Sequence, residues 1–304
     1  MAILDELLAS DEPSIRWKVR VGVLREDPPK RLREEIRRSH RARALIDGVT
    51  AANPGNYFKW QGAHWVVQSL ADLGYPPGDP DVVAIVDKVM ATWLSPSHLD
   101  AVPLIAEKYR RCGSQQGGAL LAAYRLGGSQ EMQQQLAEHL QRWQWPDGGW
   151  NCDKSPKAAS SSAHETHLPM RALYAVGAKD AAHRAAEVFL TRRMLYRRST
   201  GALIRPQWTK LRYPSYWHYD LLCGLKAVAE VGLVTDPRCA DALDLLESKR
   251  QPDGGWAAEA RYHRGTGPTP VTNYDYVNWG GIAQRSNVWV TADAMFVLAA
   301  AGRL

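Results

Sequence analysis

Gln144-Trp145-Pro146-Asp147-Gly148-Gly149-Trp150 and Gln251-Pro252-Asp253-Gly254-Gly255-Trp256 are the two segments whose reading decides the fold. They begin 107 residues apart, and each closes a polar amphipathic stretch. Proline stops a helix because it lacks an N–H and its ring clashes with the turn before it. Asp-Gly-Gly then suits a tight turn that needs positive φ. The glutamine can pair with backbone groups left open at the helix end while stacking beneath the tryptophan. The spacing is about two helical hairpins, so these segments read as equivalent joints of a repeating helical structure.

Outward from these joints, apolar residues recur at helical spacing and alternating β-branched runs are absent, which predicts an all-α chain. Five apolar helices close on glycine at Gly74, Gly127, Gly177, Gly232 and Gly302, at steps of 53, 50, 55 and 70 residues. Such glycines are left-handed C-caps, and the long last step holds an insertion at about 257–287 that is either a surface loop or a lid over a mouth. Polar, one-faced helices alternate with them at 30–47, 79–94, 129–144, 179–195 and 236–250. A sixth apolar helix runs from Ile15 to Leu24 after Asp11-Glu12-Pro13. Helices apolar all round must be buried. The simplest closed solution is one domain over 1–304, an inner ring of five or six helices wrapped by an outer ring; an open solenoid of the same hairpins is the rival.

Composition narrows the class. Hydrophobic residues make up 45% and charged residues 23%, as in ordinary globular chains. Twelve Trp against three Phe suit junctions or a cavity that needs both π faces and N–H donors. The net charge is +6, but the basic run Lys30–Arg43 is interleaved with Glu34, Glu35 and apolar residues, so it reads as a solvated helix face and no nucleic-acid partner is expected. The four cysteines show no CxxC spacing and read as reduced thiols. No apolar run reaches the ~18 residues a bilayer requires and no leader opens the chain, so a cytoplasmic protein without a transmembrane segment is expected.

The Gln-to-Trp segments, with a degenerate third near Ser199–Leu203, resemble the QW motif of squalene–hopene and oxidosqualene cyclases and the glycine-rich turns of protein prenyltransferase β-subunits. The resemblance implies an α/α toroid and a structural role for the turns. Gly148 to His167 also resembles the prenyltransferase stretch in which a Gly-Gly turn is followed by a zinc-binding histidine opening an inner helix. On that likeness His164 matches the zinc ligand, Asp153 the turn aspartate, and Cys112 the ligand thiolate of an earlier segment. The family's aspartate two residues before that cysteine is Arg110 here, so Zn²⁺ would have to recruit Cys152, Asp153 or His167. A polar pocket without metal is the alternative, and no separate α-subunit is indicated.

In such a barrel the mouth is built from the starts of the inner helices. Polar and aromatic residues recur there: His64 and Trp65; Gln115 and Gln116; His164, Glu165 and His167; Trp217, His218, Tyr219 and Asp220; Trp289 and Asp293. Catalytic roles are expected of His164, Glu165, His218, Asp220 and Asp293, and substrate contacts of the others together with Trp150. Asp293 resembles the tail of the cyclases' DxDD motif but is a lone acid, which counts against squalene cyclisation; Asp220 and Asp275 are alternatives. His164-Glu165-Thr166-His167 is not HExxH, and no phosphate loop or DDxxD is present. Three functions stay open: a cyclase or prenyltransferase-like enzyme for a small, largely apolar, isoprenoid-like molecule; a glycan-processing α/α-barrel lyase or hydrolase; and a non-catalytic helical-repeat scaffold.

Overall fold

A computed structural model describes residues 2–27, 29–282 and 285–304. It is mostly helical: α1 (Ala2–Leu8), α2 (Pro13–Trp17), α3 (Lys30–Arg38), α4 (His40–Ala52), α5 (Ala63–Asp72), α6 (Pro80–Trp93), α7 (Pro96–Leu99), α8 (Gly113–Leu126), α9 (Gln130–Trp143), α10 (Ala163–Ala175), α11 (Lys179–Leu190), α12 (Leu221–Glu230), α13 (Ala240–Ser248) and α14 (Val288–Ala300). Two-residue strands pair antiparallel at Leu104–Ile105 with Lys108–Tyr109, and parallel at Gly265–Thr266 with Tyr274–Asp275.

The five apolar helices expected from the sequence are α5, α8, α10, α12 and α14. The glycines at 74, 127, 177, 232 and 302 all take positive φ at their ends. Two expectations change. Residues 30–47 form two helices, because Ser39 is extended and its hydroxyl accepts from Ala42 N–H, starting α4 afresh. The Ile15–Leu24 helix is a single α-turn continued by a π-helix over Lys18–Val23, a wider winding that often marks functional positions.

α5 packs on α8, α8 on α10, α10 on α12, α12 on α14, and α14 on the π-helix. The segment before and within the π-helix meets α5. Trp17 lies against Gly74, and the Lys18 ammonium donates to Asp72 Oδ2 at 2.7 Å and to Asp293 Oδ1 at 3.0 Å. Lys226 of α12 donates to the other oxygens of the same two carboxylates, at 2.8 Å each. Tyr213 adds its hydroxyl to Asp72 Oδ2 at 2.7 Å. The basic run is paired, Arg31 with Glu35, Arg41 with Glu12 and Arg43 with Asp47.

The two Gln-to-Trp joints share the bonds of their tryptophans and aspartates and differ at the glutamine, Gln144 donating to Gly148 O and Ala181 O and Gln251 to Lys249 O. Trp150 Nε1–H donates to Leu140 O (3.0 Å) and Trp256 Nε1–H to Leu246 O (2.7 Å), each ten residues back. Trp150 N–H donates to Thr166 Oγ1 (3.3 Å) and Trp256 N–H to Thr291 Oγ1 (3.0 Å), which pins each turn to the first turn of the next apolar helix. Asp147 accepts from Ser161 and Asp253 from Ser286. Replacing either threonine strands a buried N–H. Thr166→Val and Thr291→Val are each expected to cost about 1–3 kcal/mol in urea unfolding, by similar amounts.

Candidate active site

The starts of α8 and α10 come together because their contact face is nearly bare. A Cβ at Gly117 would lie 2.3 Å from the Pro169 nitrogen, and one at Gly113 2.8 Å from the Glu165 carbonyl. Only glycine permits that approach, and Pro169 has no N–H to leave unpaired there. The approach sets Glu165 over the N-terminus of α8, where Ser114 N–H (3.0 Å) and Ser114 Oγ–H (2.7 Å) donate to Oε2. Its other oxygen takes a contact from the Cys152 thiol at 3.6 Å. Cys112, at the N-cap of α8, completes a group whose three donor atoms all lie within 4.8 Å of one another.

The charges of this group are poised by one another. The close pairing with Cys152 pulls the Cys112 thiol down, with Arg111 and Lys154 helping, and the same pairing, with burial, pushes Cys152 up. Burial pushes Glu165 up, against the pull of Ser114. Tyr57 stands beside the group with Gln115, and burial raises its hydroxyl pKa. Gln116 is buried and turns to Cys112 O and the Arg111 guanidinium. The neighbours expected from the sequence do not join: Asp153 is exposed and accepts from Ser155 N–H, and His164 Nδ1 accepts from Tyr219 N–H at 2.8 Å.

Tyr57 also begins an aromatic wall. Its ring contacts His64, Trp65 and Trp93 at 5.1, 4.8 and 5.6 Å between centroids. Trp65 meets Trp60, which stacks on Tyr216 at 4.0 Å. His218 is sandwiched between Trp217 (4.2 Å) and Tyr262 (3.5 Å), and Trp217 meets His164 (5.4 Å). The Lys59 ammonium sits over both Trp60 and Trp217, so the wall already holds a cation. The indole N–H groups of Trp60, Trp65 and Trp217 are buried and have no partner among the described residues. Burial lowers the histidines to about 3 at His64, His167 and His218 and about 4 at His164, so all four are neutral imidazoles near pH 7.

The insertion at 257–287 supplies part of this wall; residues 283 and 284 of it lie outside the described residues. The buried Gln61 side chain fastens it, donating to Gly267 O and Thr269 O and accepting from Val271 N–H. Asp275 accepts from Tyr216 and Trp279, and Tyr262 lies on His218.

Other candidates lie deeper. Trp150 is buried with its N–H spent in the joint, and Trp289 stacks on Tyr213 at 5.2 Å. His167 bonds Trp217 O and Cys223 Sγ, and Tyr219 donates to Met194 O. Asp293 accepts from two lysines at the centre of the molecule, at 3.0 and 2.8 Å. Between that centre and the wall lies a cavity of about 80 Å³, lined by Gln68, Leu121, Leu168, Tyr213 and Cys223. A water needs ~10–15 Å³, so the space is large enough for several waters.

No family model and no curated protein matches the sequence. Among solved structures, a protein from Actinoplanes is 17% identical, with TM-score 0.44 over 96% of this chain and 90% of that one. A type II terpene cyclase from Scytonema, in complex with geranylgeranyl dihydroxybenzoate, is also 17% identical, with TM-score 0.45 over 96% and 88%. The chemistry of the wall and its thiol group therefore rests on their own residues.

Asp220 is the remaining sequence candidate. It is fully buried at the N-cap of α12, where Oδ1 accepts from Cys223 N–H at 2.9 Å. Oδ2 has no hydrogen-bond partner, its closest cation being Arg212 at 4.0 Å. Burial raises the carboxyl from 3.8 to about 7. The unfolded chain gives up this proton first, so the group costs stability progressively as pH rises from about 4 to 7. Asp220→Asn keeps the cap and cannot ionise. It is expected to unfold at higher urea than the parent at pH 8, with the difference fading by pH 4.5.

Proposed function

We propose that the helices close into an α/α toroid and that the mouth formed by the starts of α5, α8, α10 and α12 is the active site of a terpene cyclase or prenyltransferase-like enzyme. Its substrate is small and largely apolar, of isoprenoid character, and lies against the Trp60–Trp65–Trp217 wall. The observation that carries this reading is the Cys112–Cys152–Glu165 group beside Tyr57, whose ring joins that wall.

The donor set fits zinc. Two thiolates select a soft divalent ion over magnesium or calcium, and three protein ligands leave one tetrahedral position for a reacting group. Edges of a tetrahedral thiolate site are about 3.8 Å, within reach of donors that span 4.8 Å or less. Ser114 holds Glu165 by two bonds, the supporting shell such a ligand needs. Arg111 and Lys154 offset part of the negative charge and help hold the Cys112 thiol below its usual range, while Cys152 would have to give up its proton to the metal. When bound, the metal would polarise an oxygen or acidify a water or thiol. The aromatic faces would stabilise positive charge developing on an apolar substrate, and the unpartnered indole N–H groups would orient an oxygen on it.

A second reading needs no metal and rests on Asp220. A carboxyl that titrates at about 7 exchanges its proton near neutrality and suits general acid–base work on a hydroxyl or carbonyl. It is too weak an acid for an unactivated alkene. Elemental analysis separates the two: about one zinc per chain is expected in the purified protein, and less than about a tenth in Cys112→Ser, Cys152→Ser or Glu165→Gln. A metal-free parent that takes up no zinc on dialysis would remove the metal reading. A Cys112–Cys152 disulfide found in its place would do the same.

A further inference from the structure

We propose that the end of the lumen opposite the mouth is a second binding site, for an organic oxyanion with a short apolar tail. Lys18, Asp72, Lys226 and Asp293 form the floor between the two ends: Asp72, Lys226 and Asp293 border both the small cavity under the wall and a larger one of about 340 Å³ beyond. The larger cavity lies at the C-terminal ends of α5, α8 and α12 and beside the π-helix.

Its charges are unequal. Lys18, Lys226, Arg125, Arg25 and Arg33 line it against Asp72, Glu230 and Asp293. The two lysines and two aspartates satisfy each other. Glu230 is shared by Arg125 and by Arg171, which grips it with two bonds of 2.8 Å. Among the described residues, no carboxylate pairs with Arg25 or Arg33. Each guanidinium instead lies over an aromatic ring, Arg33 over Trp17 at 4.9 Å and Arg25 over Phe296 at 5.5 Å. Among the described residues neither guanidinium donates a hydrogen bond, and the N–H fork is the edge with which arginine binds carboxylates and phosphates bidentately. Arg33 Nε is buried and has no acceptor.

Helix C-termini point partial negative charge into this end and draw some of the basic residues there. They do not explain Arg25 and Arg33, which project from the π-helix end and from α3 and are held by Trp17 and Phe296. These two rings, with Val21, Tyr75 and Ala292, give the cavity an apolar wall beside its forks. A ligand that satisfies both parts has an oxyanion head and a hydrocarbon body. The π-helix borders the site: Gly22 packs so closely on Phe296 that a Cβ there would lie 3.3 Å from the ring, while Lys18 in the same winding belongs to the floor.

Calorimetric titration of the full chain at low salt, with octyl phosphate, octanoate, octanol and inorganic phosphate, tests the site. One octyl phosphate or one octanoate is expected to bind per chain, with octanol and inorganic phosphate each at least about tenfold weaker. The comparison of the two octyl anions tells which oxyanion is preferred. Arg33→Ala and Arg25→Ala are each expected to weaken the anion by about tenfold or more, Arg33→Lys to restore part of it, and the exposed Arg31→Ala to change nothing. Melting temperatures of the variants separate lost binding from lost folding. Octanol binding as tightly as the anions, inorganic phosphate matching octyl phosphate, unchanged affinity in the folded Arg25 and Arg33 variants, or no binding at all would each overturn the proposal.

Discussion

Four charged side chains at the centre of the molecule fix the relation of its buried helices. Asp72 and Asp293 each bridge Lys18 and Lys226, so α5, α12, α14 and the π-helix are tied through one square of ion pairs. Burial pushes Asp72 up, but the two lysines outweigh it and hold the carboxyl well below its usual range. Buried ion pairs of this kind add little net stability compared with apolar packing, yet removing one partner leaves a stranded charge. The square therefore acts chiefly on specificity: helix positions that do not bring all four groups together are penalised. Its residues lie 54, 67, 154 and 275 positions apart in sequence, so it joins the first helical segments to the last.

The rest of the architecture follows from where that square sits. On one side of it the starts of α8, α12 and α14 are held by Glu165, Asp220 and Asn287, and the Gln-to-Trp joints set the height at which α10 and α14 begin. The joint ending at Trp150 delivers Cys152, while the bare α8–α10 face brings Cys112 and Ser114 to Glu165. Below the square, the π-helix turns Lys18 inward and leaves room for a second cavity. The insertion over 257–287 is drawn into the aromatic wall by Gln61 and Tyr216.

Much of this was legible in the residues. The five glycine C-caps and the period near one hairpin located α5, α8, α10, α12 and α14, because left-handed caps and apolar helices leave strong local signals. The cysteines at 112 and 152 were legible as a pair only through a family likeness; Glu165 was read as an acid and not as their partner, since its approach to Ser114 depends on Gly113 and Gly117 facing α10 across 50 residues. The same likeness put His164 with the thiols, whereas its ring faces Trp217 and bonds Tyr219. Asp293 was noticed as a lone acid in an apolar helix. Lys226 in Leu225-Lys226-Ala227 and Asp72 in Ala71-Asp72-Leu73 carry the same signal: one charge in an apolar helix must find its opposite. Which opposite it finds is a matter of tertiary distance, and no sequence spacing encodes it.

Closure of the helices around that square is the claim on which both chambers depend. A double-mutant cycle between Lys18 and Asp72, using Lys18→Met and Asp72→Asn with urea unfolding as readout, tests it most directly. A coupling free energy of at least about 1 kcal/mol is expected, as for buried partners in direct contact. Strict additivity of the two substitutions would mean that the π-helix and α5 do not meet, and would contradict the closed arrangement.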